Sequence, residues 1–355
     1  MPPTTDKMAG DLTLITGATG HIGFRALRYA LAQGYTVRAA VRSEAKAKTL
    51  KSHPLLKNIS SSQLSFITVP DFQAVGAFDE AVKGVKYIIH LASPIPFRDG
   101  ADPKDQHKHF VEPAIEGTVN LLESAKKTGT VKRVVITSSL VCNVPVEVQF
   151  GMTESDETYT AESRITSPSE PYANAFFAYI ASKVEALAAA EEWVEKNKSS
   201  INFDVIHVHP AYTIGRDDLA TTSEAVNEGT NSTMLSTVLG DHAPYGKTSN
   251  TVHVDDAARV HVLALDPHVA GNQSFLTVSG GRKGTVWEDS LDIAKKHFPD
   301  AVADGTLPVN GTAPTVKNFV DASKTEKTFG FEFKSYEEQV VSVVGHYVEL
   351  KQKGL

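Results

Sequence analysis

Leu12-Thr-Leu-Ile-Thr16 runs straight into Gly17-Ala-Thr-Gly20-His-Ile-Gly23, and residues 22–33 continue in a helical pattern. An aliphatic and β-branched run, a glycine-rich turn and a helix start, in that order, form the context that gives spaced glycines a meaning. Glycine has no Cβ, so Gly17 permits a tight turn, backbone N–H groups near Gly20 can approach a pyrophosphate, and Gly23 permits close packing of helix on strand. The positive end of the helix adds attraction for phosphate. Gly17, Thr19, Gly20, His21, Ile22 and Gly23 are therefore expected to form a dinucleotide-binding turn. An ordinary strand-to-helix turn with incidental glycines is the rival.

Outward from this stretch the alternation continues. Strands are expected at 12–16, 36–41, 64–69, 85–91, 133–138 and 203–208, with helices at 22–33, 72–82, 111–128 and 176–196. Six strands joined by crossover helices predict an α/β fold, a Rossmann doubly wound parallel sheet. Residues 143–174 are polar and too long for a plain connection, which predicts a functional loop or lid. Past Pro210 the regular alternation breaks down. The expected division is a cofactor-binding Rossmann domain over 1–210 with a return segment near 251–266, and a smaller C-terminal substrate lobe from 211–250 and 267–355.

The composition narrows the function. With 355 residues, 41% hydrophobic and 22% charged, the chain has a globular make-up. Lys and Arg total 35 against 42 Asp and Glu, for a net charge of −7. That balance leaves no global basic field for nucleic acid or anionic lipid, so an anionic ligand must be held locally. The single cysteine, Cys142, excludes an intramolecular disulfide and a Cys-rich zinc cluster. His207 and His209 share a strand face but have no acidic or thiol partner to complete a metal set, so no metal is expected. No run of 18 apolar residues and no signal-peptide core occurs, which predicts a cytoplasmic protein with no membrane partner.

Two local patterns bear on chemistry. Dinucleotide folds that select NAD place an acidic residue at the end of the second strand, whereas TVRAAV here ends in Arg42, with Lys46 four residues on. A guanidinium face and an ammonium suit a ribose 2′-phosphate, so NADPH/NADP is favoured over NADH; a solvated surface cluster is the plainer alternative, and Glu44 lies between the two cations. Tyr179 and Lys183 stand four apart in an expected helix and share one face. Tyr347 and Lys351 have the same spacing. Only Tyr179 follows a strand, RVVITSS, that ends in hydroxyls.

TGATGHIG, HLASP, VVITSS, YIASK, VHP and HVDDAARVHV occur here in the order seen in extended short-chain dehydrogenases/reductases, which the chain resembles from about Thr13 to about Tyr347. FVDASKTEKTFGFEF strengthens a resemblance to the branch of dihydroflavonol reductases, cinnamoyl-CoA reductases and fungal NADPH-dependent aldehyde and ketone (methylglyoxal-type) reductases. The resemblance implies that Ser139, Tyr179 and Lys183 are catalytic, with Tyr179 and Lys183 also touching the cofactor. It implies an adenine contact for Asp71 and Phe72, where Asp71 as a helix N-cap is the rival. It further implies cofactor contacts at Leu91, Ala92 and Ser93 after the fourth strand and at Pro210 and Ala211 at the end of the sixth. A relay asparagine of the family corresponds to Ala114 here, a departure that leaves the proton route open. Side-chain chemistry agrees with the catalytic set, since placing a hydride on a carbonyl carbon develops charge on oxygen and calls for a proton donor and hydrogen-bond donors.

The expected activity is NADPH-dependent reduction of an aldehyde or ketone to an alcohol, by a monomer or homodimer acting on a small molecule. An NAD(P)-dependent epimerase or isomerase, of nucleotide-sugar or steroid type, and a non-catalytic NADP-sensing protein are the alternatives. Phe97, Met152, Phe176, Tyr212 and Met234 are candidates for an apolar substrate wall or for plain core.

Overall fold

Short β-branched runs followed by helical stretches build the first part of the chain, and the computed structural model describes residues 10–95 and 105–355. In chain order they are β1 (Leu12–Thr16), α1 (His21–Ala32), β2 (Thr36–Val41), α2 (Glu44–Ser52), β3 (Leu64–Thr68), β4 (Tyr87–His90), α3 (Glu112–Thr128), β5 (Arg133–Thr137), α4 (Val146–Gln149), β6 (Thr158–Tyr159), α5 (Ala175–Asn197) and β7 (Asp204–Pro210). The remainder comprises β8 (Tyr212–Ile214), α6 (Ser223–Val226), α7 (Gly229–Val238), β9 (Lys247–Thr248), β10 (Thr251–His253), α8 (Val254–Leu263), β11 (Gln273–Thr277), α9 (Asp289–His297), α10 (Pro299–Ala303), β12 (Thr315–Val316), β13 (Phe319–Val320), α11 (Ser323–Phe329) and α12 (Tyr336–Gln352).

Seven strands form the main sheet in the order β11-β7-β5-β4-β1-β2-β3. Pairing is parallel from β7 through β3. This is the doubly wound order, which reverses between β1 and β4 and opens a crevice at the carboxyl ends of those strands. Leu14, Ile88, Val134 and Val205 from the sheet pack with Leu121, Leu122 and Trp193 from α3 and α5 in one core. At the amino ends of the strands Arg133 is buried and ties β5 to β7 through Nε to Asp204 Oδ1 at 2.6 Å and Nη2 to Oδ2 at 2.8 Å. Its Nη1 also donates to the carbonyls of Ala264 and Asp266.

One expected element does not form as read, and one strand is additional. Residues 72–82 make successive turns rather than a helix. Gly76 and Gly84 adopt φ of 76° and 70°, left-handed values that interrupt a helical ladder, although Phe78, Ala81 and Val82 still bury their side chains. A seventh strand, β11, joins the six expected.

The chain divides into two compact units, the first running to Cys142 and taking in Ile165–Val208 and Ala258–Ser274. The second comprises Asn143–Arg164, His209–Ala257 and Phe275–Leu355. It holds three two-stranded parallel pairs, β8 with β10, β9 with β12 and β6 with β13. Its own core gathers Trp287, Met234, Leu235, Val340 and Val344. The polar stretch 143–164 is held inside this unit, because Asn143 Nδ2 donates to the carbonyls of Thr160 and Ser163 while Asn143 Oδ1 lies 2.8 Å from His209 Nδ1. Among the described residues no helix is long and apolar enough to cross a membrane.

Candidate active site

The turn after β1 shows why its glycines are fixed. Gly17 has φ of 75°, and a Cβ there would stand 2.7 Å from the Ala92 nitrogen and 2.9 Å from the Leu91 carbonyl carbon. A Cβ on Gly23 would stand 2.0 Å from the Gly17 oxygen. Around Gly20 the nearest atom to an added Cβ is the Gly17 oxygen at 3.4 Å, so this side of the turn is not closed by protein. Gly20 is the N-cap of α1, with no side-chain cap and no acidic residue in the first turn. The positive helix end is thereby left to an external anion, and the turn fits a dinucleotide pyrophosphate. Thr19, His21 and Ile22 are half-buried along it.

At the end of β2, Arg42 is exposed and makes no ion pair among the described residues. Ser43 caps α2 by accepting from Lys46 N at 3.3 Å, and Lys46 is exposed one turn beyond. Glu44 accepts from Thr68 Oγ1 at 2.7 Å, so its carboxylate is engaged with β3. After β3, Asp71 Oδ1 accepts from Gln73 N at 2.9 Å. Asp71 thus caps a turn, since no helix follows it. Phe72 is half-buried against Phe78, with ring centroids 4.9 Å apart.

Leu91, Ala92 and Ser93 leave β4 beside the turn. Leu91 N donates to the Thr16 oxygen at 3.3 Å, and Ala92 N donates to Thr16 Oγ1 at 3.2 Å. Ala92 and Ser93 line a cavity of about 20 Å³ together with His90, Thr118, Ser138, Lys183 and His207.

Ser139 directly precedes the short turn Leu140–Cys142, which packs against α5. Ser139 is 8% exposed, and its Oγ accepts from Val141 N at 3.4 Å. Asn174 caps α5 by accepting from the N–H groups of Phe176 and Phe177, and Tyr179 and Lys183, four residues apart on this helix, stand one turn apart. Lys183 Nζ lies 5.8 Å from the Tyr179 ring centre, and Phe176 stacks on Tyr179 at 5.8 Å. Lys183 is 8% exposed, and burial pushes its ammonium down from 10.5 to about 8, with Cys142 opposing the shift. Burial, then the Lys183 charge, hold the His90 imidazolium down at about 3. A neutral imidazole and a lysine poised near working pH therefore line one cavity.

The first unit thus contains every expected cofactor and catalytic residue except Pro210 and Ala211, which belong to the second. Pro210 ends β7, and Ala211 N donates to the Thr277 oxygen at 3.1 Å. Among the wall candidates, Met234 is fully buried in the core of the second unit, Tyr212 packs edge-on against Trp287 at 5.7 Å, and Met152 is 66% exposed. Phe97 lies outside the described residues. Cys142 is buried with Sγ 3.4 Å from Ser138 Oγ. Thr16 and His90, whose Oγ1 and Nδ1 lie 2.8 Å apart, are not singled out by the sequence, although each is the last residue of a strand flanking the point where strand order reverses, where such folds bind ligands.

The model of the NAD dependent epimerase/dehydratase family matches residues 13–276. Ketoreductase CTB6 of Cercospora beticola is 45% identical over 352 residues, covering 98% of this chain and 97% of the relative. NAD-dependent epimerase/dehydratase ALT6 of Alternaria alternata is 34% identical, covering 93% and 96%. Among solved structures, yeast methylglyoxal/isovaleraldehyde reductase Gre2 complexed with NADPH superposes with a TM-score of 0.82 at 25% identity, over 96% of this chain and 99% of that one.

Proposed function

The chain belongs to the NAD dependent epimerase/dehydratase family, and from that premise we propose that it is an NADPH-dependent carbonyl reductase converting a small aldehyde or ketone into an alcohol. It is an oxidoreductase acting on carbonyl and alcohol groups, in keeping with its ketoreductase relative and the NADPH-bound reductase it superposes on. The observation that carries the finer reading is Lys183, buried and depressed to about 8, one helical turn from Tyr179.

Gly17, Gly20 and the start of α1 hold the pyrophosphate, and Arg42 with Lys46 holds the 2′-phosphate. Asp71 and Phe72 border the adenine, while Leu91, Ala92, Ser93, Pro210 and Ala211 border the nicotinamide half. The reduced nicotinamide, when bound, supplies the hydride. Ser139 Oγ donates a hydrogen bond to the substrate oxygen and orients it. Tyr179 gives its phenolic proton to that oxygen as negative charge develops on it. The Lys183 ammonium favours the phenolate that Tyr179 then becomes, and it also binds the nicotinamide ribose. In the same reading residues 1–210 with 251–266 serve the cofactor, and 211–250 with 267–355 serve the substrate.

NADPH consumption with a panel of small aldehydes, diketones and keto esters tests this. The expected result is net oxidation of NADPH with at least one member, abolished by Tyr179→Phe while NADPH still binds. Tight retention of cofactor without net consumption, accompanied by epimerisation of a sugar nucleotide or isomerisation of a steroid, would replace the reading with the epimerase or isomerase one. NADPH binding with no turnover of any kind would leave a sensor.

A further inference from the structure

The cavity lined by Ala92, Ser93 and Lys183 also has a polar wall, His90, Thr118, Ser138 and His207, that the chemistry described so far does not use. Its volume of about 20 Å³ exceeds the ~10–15 Å³ needed for one water, which also requires two to four polar partners. The lining offers them: His90 from β4, Thr118 from α3, Ser138 after β5, Lys183 from α5 and His207 from β7.

Proton accounting favours one tautomer of His90, the one that gives the Thr16 hydroxyl proton an acceptor. Thr16 Oγ1 receives the Ala92 N–H at 3.2 Å and lies 2.8 Å from His90 Nδ1. A hydroxyl has one proton to give, and His90 Nδ1 is the acceptor beside it among the described residues. Thr16 therefore donates to Nδ1, and the neutral ring carries its own proton on Nε2. With Nδ1 engaged by Thr16, Nε2–H is the polar group left to the cavity that His90 lines. Two donors, His90 Nε2–H and the Lys183 ammonium, then border the same small space, and neither can accept from the other.

We propose that this cavity is a site for one water that accepts hydrogen bonds from both His90 Nε2–H and Lys183 Nζ, and that His90 is a positioning residue for the return of a proton to Tyr179. The protons of that water meet acceptors in Ser138 Oγ and in Thr118 Oγ1, whose own proton goes to the Ala114 carbonyl at 2.8 Å. After Tyr179 protonates the substrate alkoxide, the Lys183 ammonium gives a proton to the phenolate. The water gives one to the resulting amine and is restored from solvent, since the cavity is not sealed. Each carbonyl reduced thus takes up one proton from solvent, and no further reactant is needed. The groups facing Lys183 are His90, His207, Cys142 and, on its own helix, Tyr179.

The inference rests on the reading of Tyr179 and Lys183 above, and the experiment separates the two. His90→Asn keeps a polar group near Thr16 and removes Nε2–H, whereas His90→Gln returns an N–H at the cavity. His90→Asn is expected to lower kcat for carbonyl reduction about tenfold, the upper range for loss of one neutral hydrogen bond, to shift the pH profile of kcat and to raise the solvent deuterium isotope effect. NADPH affinity by fluorescence titration should hold, and His90→Gln should restore most of the rate. A crystal structure of the NADPH complex should show the water within hydrogen-bond reach of both nitrogens. Wild-type kcat and isotope effect in His90→Asn, with Tyr179→Phe inactive, would overturn the water site and leave the reductase reading standing. Loss of rate and NADPH affinity together without rescue by His90→Gln, or a dry cavity, would also overturn it. An active Tyr179→Phe would overturn the reductase reading, and the inference with it.

Discussion

The chain contains two tyrosine–lysine pairs of identical spacing, and the contrast between them separates geometry from chemistry. Tyr179 and Lys183 on α5 bring Nζ to 5.8 Å from the ring centre, and Tyr347 and Lys351 on α12 bring it to 5.7 Å. Local structure is the same, because four residues are one helical turn in either place. The surroundings are opposite. Lys183 is buried beside the ends of β4 and β5 and loses proton affinity. Lys351 is exposed, and its hydrogen bond to Glu224 Oε1 at 3.0 Å raises its proton affinity. Helical spacing supplies proximity, and the tertiary environment decides whether a lysine can tune a neighbouring phenol.

The largest effect should come from breaking each pair in turn. Tyr179→Phe is expected to lower kcat by about 10²- to 10⁴-fold, the range for loss of a positioned proton donor, whereas Tyr347→Phe should turn over carbonyl substrate at the wild-type rate. Steady-state NADPH oxidation by both variants checks this. Arg42→Leu comes next, with the KM for NADPH rising about 10- to 100-fold and that for NADH unchanged, in line with ~1.5–3 kcal/mol for hydrogen bonds to a charged group.

A smaller but more diagnostic effect lies in the pH dependence of stability. Lys183 binds its proton less tightly folded than unfolded, so the unfolded chain holds more protons between about 8 and 10.5 and stability rises with pH across that window. Lys183→Met should remove that rise. The raised affinity of Lys351 gives a contribution fully present below 10.5 and lost as pH climbs through its folded value. Lys351→Met should remove that loss, and Tm measured from neutral to strongly alkaline pH distinguishes the two signs. The smallest effect is Lys351→Ala at neutral pH, a barely measurable loss of stability by urea unfolding, as for other exposed ion pairs.

The legible parts of the molecule were those whose meaning is local. The β1 turn could be read because Gly17 and Gly23 admit no Cβ, a constraint that sequence spacing expresses directly. The two tyrosine–lysine pairs could be told apart only by what precedes them, the hydroxyl-tipped β5 in one case and nothing comparable in the other. Residues 72–82 have helical periodicity in their buried positions, yet left-handed Gly76 breaks the ladder, so the pattern reported burial correctly and conformation incorrectly. Strand β11 and the alignment of Thr16, His90 and Lys183 around one cavity depend on contacts between residues far apart in the chain, which no short window contains. Met234 illustrates the same limit in the second unit, where the sequence leaves substrate wall and core equally open and the packing decides for the core.

The central claim, that burial rather than spacing sets the character of each lysine, is tested most directly by following the two ammonium groups themselves. NMR titration of protein labelled with ¹³C and ¹⁵N in lysine side chains, assigned with Lys183→Arg and Lys351→Arg, gives each midpoint. Lys183 should titrate near 8 and Lys351 above 10.5. Two midpoints that coincide near 10.5 would contradict the account.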